Sequence, residues 1–190
     1  MAQKKQLKKL LKKKRKWLSI YAKGDFKNIE LGETFLAESA DLKGKTISAD
    51  LSKITGDMKK QNTHLTFVVT EVKDNAGYAD LISYSLSTMY VKRLRGSSKD
   101  KIEESFIITG SDGLKARIKP LIVLRSQVHS SVRSAARREL KAYFDEVSKT
   151  ENLDSIFRNI ISSNIQKQLR ERLKKVYPVQ ISEIKSIRRL

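Results

Sequence analysis

The sequence contains no cysteine. That excludes a disulfide framework, a thiolate metal site and a cysteine nucleophile, and it suits a reducing compartment. Nor does it hold a run of about 18 apolar residues, the length needed to cross a bilayer. The basic start from Met1 to Lys16 is not followed by a long apolar stretch, so it does not read as a secretory signal. There are two histidines, His64 and His129, far apart and in no H-x-x-x-H or H-E-x-x-H spacing. Glu103 and Glu104 are adjacent in a stretch that reads as a strand, where neighbours face opposite ways, which argues against a shared-proton dyad. Lys43-Gly44-Lys45 lacks the frame of a phosphate loop. Ser97-Ser98 and Ser162-Ser163 read as loop and cap residues. With no converging reactive groups, the sequence points away from catalysis, from a metal or other cofactor, and from a small-molecule substrate. It has no internal repeat.

What is present is positive charge. The 190 residues carry 40 Lys and Arg against 21 Asp and Glu, a net charge of +19. The charge is uneven. Residues 1–16 hold nine Lys or Arg and no acid; residues 17–124 hold 16 basic and 14 acidic side chains; residues 125–190 hold 15 and 7. Solubility of a small domain needs a net charge of magnitude only about 2–8. Strongly basic ends on a near-neutral middle are the footprint of a polyanion binder, because each cation set against a phosphate releases a condensed counterion. Hydrophobic residues make up 39%, enough for a core.

The periodicities divide the chain into a tail, residues 1–16, and a single α+β domain, residues 17–190. In the tail and its junction, Leu7, Leu10, Leu11, Trp17 and Leu18 share one side of a helical wheel. A basic amphipathic segment of this kind can lie on an anionic membrane or order itself on RNA. The basic C-terminal third has no place in the membrane reading. Trp17 and Tyr21 can stack on bases or anchor the tail to the core.

Residues 17–124 read mainly as strands, with runs at Thr34–Ala40, Lys45–Leu51, His64–Lys73, Tyr78–Ser85, Lys101–Thr109 and Leu114–Leu124. Asp74-Asn75-Ala76-Gly77 and Gly110-Ser111-Asp112-Gly113 supply turn chemistry. A short helix, Thr88–Arg95, follows an N-cap at Ser87. Residues 125–190 read mainly as helices. One carries Val132, Ala136, Leu140, Tyr143, Phe144 and Val147 on its apolar face, a second carries Leu153, Ile156, Phe157, Ile160 and Ile161, and a third starts at an S-x-x-Q capping box, Ser163–Gln166. Pro178 stops the third, and Val179–Ile187 alternates like a returning strand.

In order and spacing these features resemble one family, the small-subunit ribosomal proteins shared by archaea and eukaryotes, of e-type S-one (historically "S three a e"). The resemblance runs from about Lys16 to Leu190. It is carried by the basic tail entering Lys16-Trp17, by Ala40-Asp41-Leu42-Lys43-Gly44-Lys45 leading into Ser48-Ala49-Asp50-Leu51, by Tyr90-Val91-Lys92-Arg93, by Ser111-Asp112-Gly113 and by Val176-Tyr177-Pro178. The chain looks like the compact archaeal-type form, without the longer terminal extensions usual in eukaryotic members. The resemblance implies an α+β fold with a twisted, partly closed, mostly antiparallel sheet, packed C-terminal helices and a basic N-terminal tail. It implies a structural, non-enzymatic place in the cytoplasmic ribosome, on the platform near the mRNA exit side. The implied partners are small-subunit rRNA and neighbouring platform proteins, with mRNA and initiation factors within reach, and no membrane.

The candidate RNA-binding residues fall in four groups. The tail offers Lys4, Lys5, Lys8, Lys9, Lys12, Lys13, Lys14, Arg15, Lys16 and Trp17. A hairpin tip offers Lys43 and Lys45. The end of the short helix offers Lys92, Arg93 and Arg95, which also suit its dipole. The first long helix presents Arg133, Arg137, Arg138 and Lys141, where the planar guanidinium fork can grip phosphate oxygens in pairs. A free, non-ribosomal RNA-binding regulator is the alternative.

Overall fold

The computed structural model describes residues 14–26, 29–96 and 99–190. These form two compact units, one built from the chain up to Gln61 with Leu65–Ile82, the other from Asn62–His64 with Ser83–Leu190. The class is α+β, and nine strands hydrogen-bond into a mixed sheet.

In the first unit β1 (Lys16–Ala22) buries Leu18, Ile20 and Ala22, every second residue, while Ser19 and Tyr21 between them are only partly buried. It pairs antiparallel with β2 (Glu30–Leu36) and parallel with Gly77–Ala79. β3 (Thr46–Asp50) runs into α1 (Leu51–Thr55), which Gly56 ends in the left-handed conformation, at φ 73°. β4 (Thr63–Lys73) and β5 (Ala76–Leu86) form a hairpin. Its two turn residues, Asp74 and Asn75, both have positive φ, the geometry that matches strand twist in a two-residue loop. Leu65, Phe67 and Val69 are buried, and Phe67 meets Phe26 edge-on at 5.5 Å.

The second unit takes the end of β5, then α2 (Thr88–Arg95), β6 (Lys101–Glu103), β7 (Phe106–Thr109), β8 (Lys115–Leu124), α3 (Ser130–Thr150), α4 (Leu153–Ile161), α5 (Asn164–Lys174) and β9 (Val179–Arg189). β9 lies antiparallel between β5 and β8. β8 changes character along its length. From Lys115 to Lys119 it alternates exposed cation and buried apolar residue, and from Pro120 to Leu124 it is buried throughout. The change falls at a bulge, where Lys119 pairs with Ser186 but Pro120 with Ile184. A bulge is where a strand tolerates proline, which has no N–H for the ladder. The helices cover the sheet through Ala136, Leu140 and Phe144 of α3, Ile156 and Ile160 of α4, and Ile165, Leu169 and Leu173 of α5, all buried. Each full burial of a large apolar side chain is worth about 1.5–3 kcal/mol. Arg172 of α5 bonds Glu139 and Glu146 of α3 and lies 5.7 Å from the Tyr143 ring. Burial, followed by Glu151, pushes the Tyr143 hydroxyl up to about 12, so it stays a donor, to Gln168 Oε1 at 2.8 Å.

Several expectations are corrected. The chain enters a strand at Lys16, where a helical wheel had grouped Trp17 with Leu18. A period of two places those neighbours on opposite faces, one exposed and one buried. The expected strand Thr34–Ala40 is the end of β2 followed by a 3-10 turn, Ser39–Leu42. Leu51 opens α1 and does not close β3. The run Lys101–Thr109 breaks at Glu104-Ser105 into two short strands, both paired with β8. Ser163 does precede α5, but at φ 63° and with no side-chain cap bond, and the Gln166 side chain donates to the Ile160 carbonyl at 3.0 Å. The capping box is therefore not made. The strand path starts at β2 and ends at β6, which do not pair, so the sheet is open, because closure needs its edges to share a ladder. β1 and β5 run parallel, so the sheet is mixed, but β1–β2, β5–β9, β6–β8, β7–β8 and β8–β9 run antiparallel, as expected.

The turn between β7 and β8 docks on the junction of α3 and α4. Ser111 N–H donates to the Glu151 carbonyl at 3.2 Å, and the Ser111 hydroxyl bonds Asn152. Gly110 fits there because it has no Cβ. An added Cβ would stand 2.5 Å from Asp112 Oδ1 and 2.9 Å from Leu153 N. Gly110→Ala is expected to cost about 1–3 kcal/mol, the usual penalty for overpacking. Urea midpoints check this, and equal stability would mean that the turn moves aside freely.

Candidate nucleic-acid interface

In the first unit Lys14, Arg15 and Lys16 are exposed and lead directly into β1. Trp17 is 66% exposed, opposite Phe35 in the ladder, with the rings 5.1 Å apart. It is thus not a core anchor but an accessible aromatic beside three cations. Lys4, Lys5, Lys8, Lys9, Lys12 and Lys13 lie outside the described residues. Lys43 and Lys45 are exposed on a turn whose backbone is pinned to β4: Gly44 N–H donates to the Val69 carbonyl at 2.8 Å, and Val69 N–H donates to that of Lys45 at 2.9 Å.

In the second unit the expected row on α3 is partly engaged. Arg133 stands 3.7 Å from Asp100, and Arg137 Nε 2.8 Å from Glu104, which occupies the break between β6 and β7. Asp100 also accepts from Val128 N–H at 2.7 Å, so the same carboxylate orients the entry to α3. Arg138 and Lys141 are exposed and, among the described residues, in no ion pair. At the end of α2, Lys92 and Arg93 are exposed, and Arg93 lies 5.5 Å from the Tyr90 ring. Arg95 instead bonds Glu103 at 2.6 Å, with Lys185 at 3.4 Å from the same carboxylate. Burial raises the Glu103 carboxyl, but Arg95 and Lys185 outweigh it and hold the group below its ordinary range. Such half-exposed pairs contribute about 0–1 kcal/mol each. They orient the arginines at little cost to a competing phosphate.

The sheet of this unit adds cations that the sequence reading passed over. Residues directly opposite in a ladder share a face. Ser83, Arg188 and Arg117 line up across β5, β9 and β8, and Ser85, Ser186 and Lys119 form the next row. Tyr84, Ile187 and Ile118 face the other way and are buried. The result is a shallow 410 Å³ cleft, floored by serines and edged by Arg117, Lys119 and Arg188. The alternation Lys115-Ala116-Arg117-Ile118-Lys119 was legible as one exposed cationic edge. That Arg188 lands opposite Arg117 was not, because the pairing spans about 70 residues of sequence.

Two like charges directly opposite in a ladder destabilise it by about 0.2–1 kcal/mol. The double variant Arg117→Gln/Arg188→Gln is therefore expected to melt roughly 1–3 °C higher than the parent without RNA. It should also bind RNA more weakly, with the salt dependence flattened by about one log unit per cation removed. Unchanged melting together with an unchanged salt slope would show this face to be idle.

Among the described residues no group of His, Asp or Glu is placed to hold a metal ion, and no helix is long and apolar enough to cross a membrane. Known proteins resemble the chain along almost its whole length. The protein named small ribosomal subunit protein eS1 of Halorubrum lacusprofundi is 27% identical over 176 residues, 93% of this chain and 82% of that one. Its namesake in Nanoarchaeum equitans is 27% identical over 166 residues, 87% of this chain and 84% of that one. The eS1 protein of Archaeoglobus fulgidus is 26% identical over 175 residues, covering 91% and 83% respectively. The model of the Ribosomal S3Ae family matches residues 2–190, and with cations displayed on a strand ladder and a helix face the chain belongs to that family.

Proposed function

We propose that the protein is a structural constituent of the small ribosomal subunit, and that it holds folded rRNA against fixed cationic surfaces without making or breaking bonds. The observation that carries this is the row Arg117–Arg188 with Lys119 beside it, like charges aligned by a backbone ladder on an exposed face. Such an array is unfavourable alone and becomes favourable against a polyanion. Arg138 and Lys141 offer a second cationic surface on α3, and Lys43, Lys45, Lys92 and Arg93 add separate contacts. Residues 1–16 act as an arm that sets its nine cations against phosphates, and residues 17–190 are the body that positions it.

Backbone contacts carry little sequence information, and duplex RNA hides its major groove. Recognition on these faces therefore comes from the shape of the rRNA. Family membership supports a further proposal, a position on the platform of the subunit, near the mRNA exit side, in the cytoplasm. Neighbouring platform proteins are its expected partners, with mRNA and initiation factors in reach.

Sedimentation of a tagged copy tests this. The protein should travel with small subunits, and a pool that stays at the top of the gradient would favour a free RNA-binding regulator. Removing residues 1–16 is expected to weaken rRNA binding and flatten its salt dependence while the body melts nearly as before. An unchanged salt slope would remove the arm from the mechanism.

A further inference from the structure

Within the second unit, α5 lies over β9, and two adjoining clefts share Arg170 and Gln180. The larger, 710 Å³, is walled by Lys99, Arg125, Arg170 and Lys174, with no carboxylate in its lining. Lys99 Nζ donates to Gln180 Oε1 at 2.5 Å, and among the described residues none of the four cations is in an ion pair. Four like charges around one concavity repel one another, and a surface made basic only for solubility would disperse them.

The smaller cleft, 290 Å³, has Tyr90 of α2 on one side and Gln166 of α5 on the other, with Ser182 and Glu183 of β9 between. Gln166 and Ser182 are only 5% and 8% exposed, and Gln166 Oε1 and Ser182 Oγ, which have no hydrogen-bond partner, are enclosed behind the cleft wall. Native interiors leave few polar atoms unpaired. Burial raises the Glu183 carboxyl above its ordinary range, which favours a form that can donate as well as accept.

We infer that these two clefts form a single-stranded RNA site, with successive phosphates along Lys99, Arg125, Arg170 and Lys174 and one unstacked base against Tyr90, its edge facing Glu183. This rests on the RNA-binding reading and adds the kind of RNA, and the place where a base is held. The volumes suit it, since ligand pockets run from about 300 to 1,000 Å³. A duplex does not, because its bases are paired and stacked inside the helix. An acidic peptide would match the cations but leaves the aromatic without a role and meets the Glu183 carboxylate.

The test uses the full chain with a fluorescent 10-nucleotide single strand and a hairpin of equal charge. Arg170→Gln/Lys174→Gln is expected to lower single-strand affinity about ten-fold and to reduce its salt slope by roughly 1.4, while hairpin binding changes little. Tyr90→Leu, which keeps an apolar side chain but removes the π face, should lower single-strand affinity about ten-fold with no change in salt slope. Equal losses for strand and hairpin would overturn the site, as would an unaffected single strand. Displacement of the strand by poly-glutamate as readily as by unlabelled RNA would overturn it too. An unmodified chain that binds neither probe would instead overturn the RNA-binding reading itself.

Discussion

The ladder between β8 and β9 is the constraint on which the second unit depends. It fixes which side chains face the helices and which face outward, because neighbours in a strand alternate. Ala116, Ile118 and Ile187 must be covered, so Arg117, Lys119 and Arg188 cannot be. The positions of the cations are thus a by-product of burying apolar residues. A strand rises about 3.3 Å per residue, so Arg117 and Lys119 stand about 7 Å apart on a backbone that does not bend to suit a ligand. Preorganisation of this kind removes an ordering cost that a flexible basic loop would meet on every binding event.

Acidic residues are spent where the fold needs orientation. Asp100 and Glu104 set the entry and first turns of α3, Glu103 ties the end of α2 to β6, and Glu139 and Glu146 join α3 to α5 through Arg172. Among the described residues, none of them lines the cleft of Arg117, Lys119 and Arg188 or the large cleft beside α5. Exposed pairs add little stability, so their effect is geometric. A chain at +19 repels itself, and the folded body carries that repulsion where helices and strands cannot relieve it. The negative charge that would relieve it has to come from outside.

How much of this was legible in the sequence depends on the range of the interactions. Local signals carried well. The period of α3 named its buried face, Ala136, Leu140, Tyr143 and Phe144, and the Asp74-Asn75 turn joined β4 to β5. Signals with two local solutions did not. Lys16–Ala22 has a helical wheel and a strand alternation, and its pairing with β2 and β5 decided between them. Ser163–Gln166 has the composition of a capping box, yet Gln166 turns back to satisfy the Ile160 carbonyl in the core. The site shows the same division. Arg137 and Arg138 are neighbours with equal claims in sequence, but Glu104 comes within reach of only one of them. Arg188 gains its meaning from Arg117, a partner no local window contains.

Charge, aromatics and cleft shape then separate two kinds of contact with one class of partner. The ladder face and α3 are open and rigid, and they offer cations without stacking surfaces, which suits a folded RNA read by shape. The clefts beside α5 are concave and combine cations with Tyr90. A base can stack on that ring only if it is out of its own stack, and unstacking is least costly in a strand that is already single. Helix α5 thus serves two ends at once. Its apolar residues, Ile165, Leu169 and Leu173, close the core over β9, and the turns between them carry Arg170 and Lys174 to the rim of the clefts. A helix whose burial is fixed on one side has no freedom to withdraw its other side, so stability and binding here draw on the same packing.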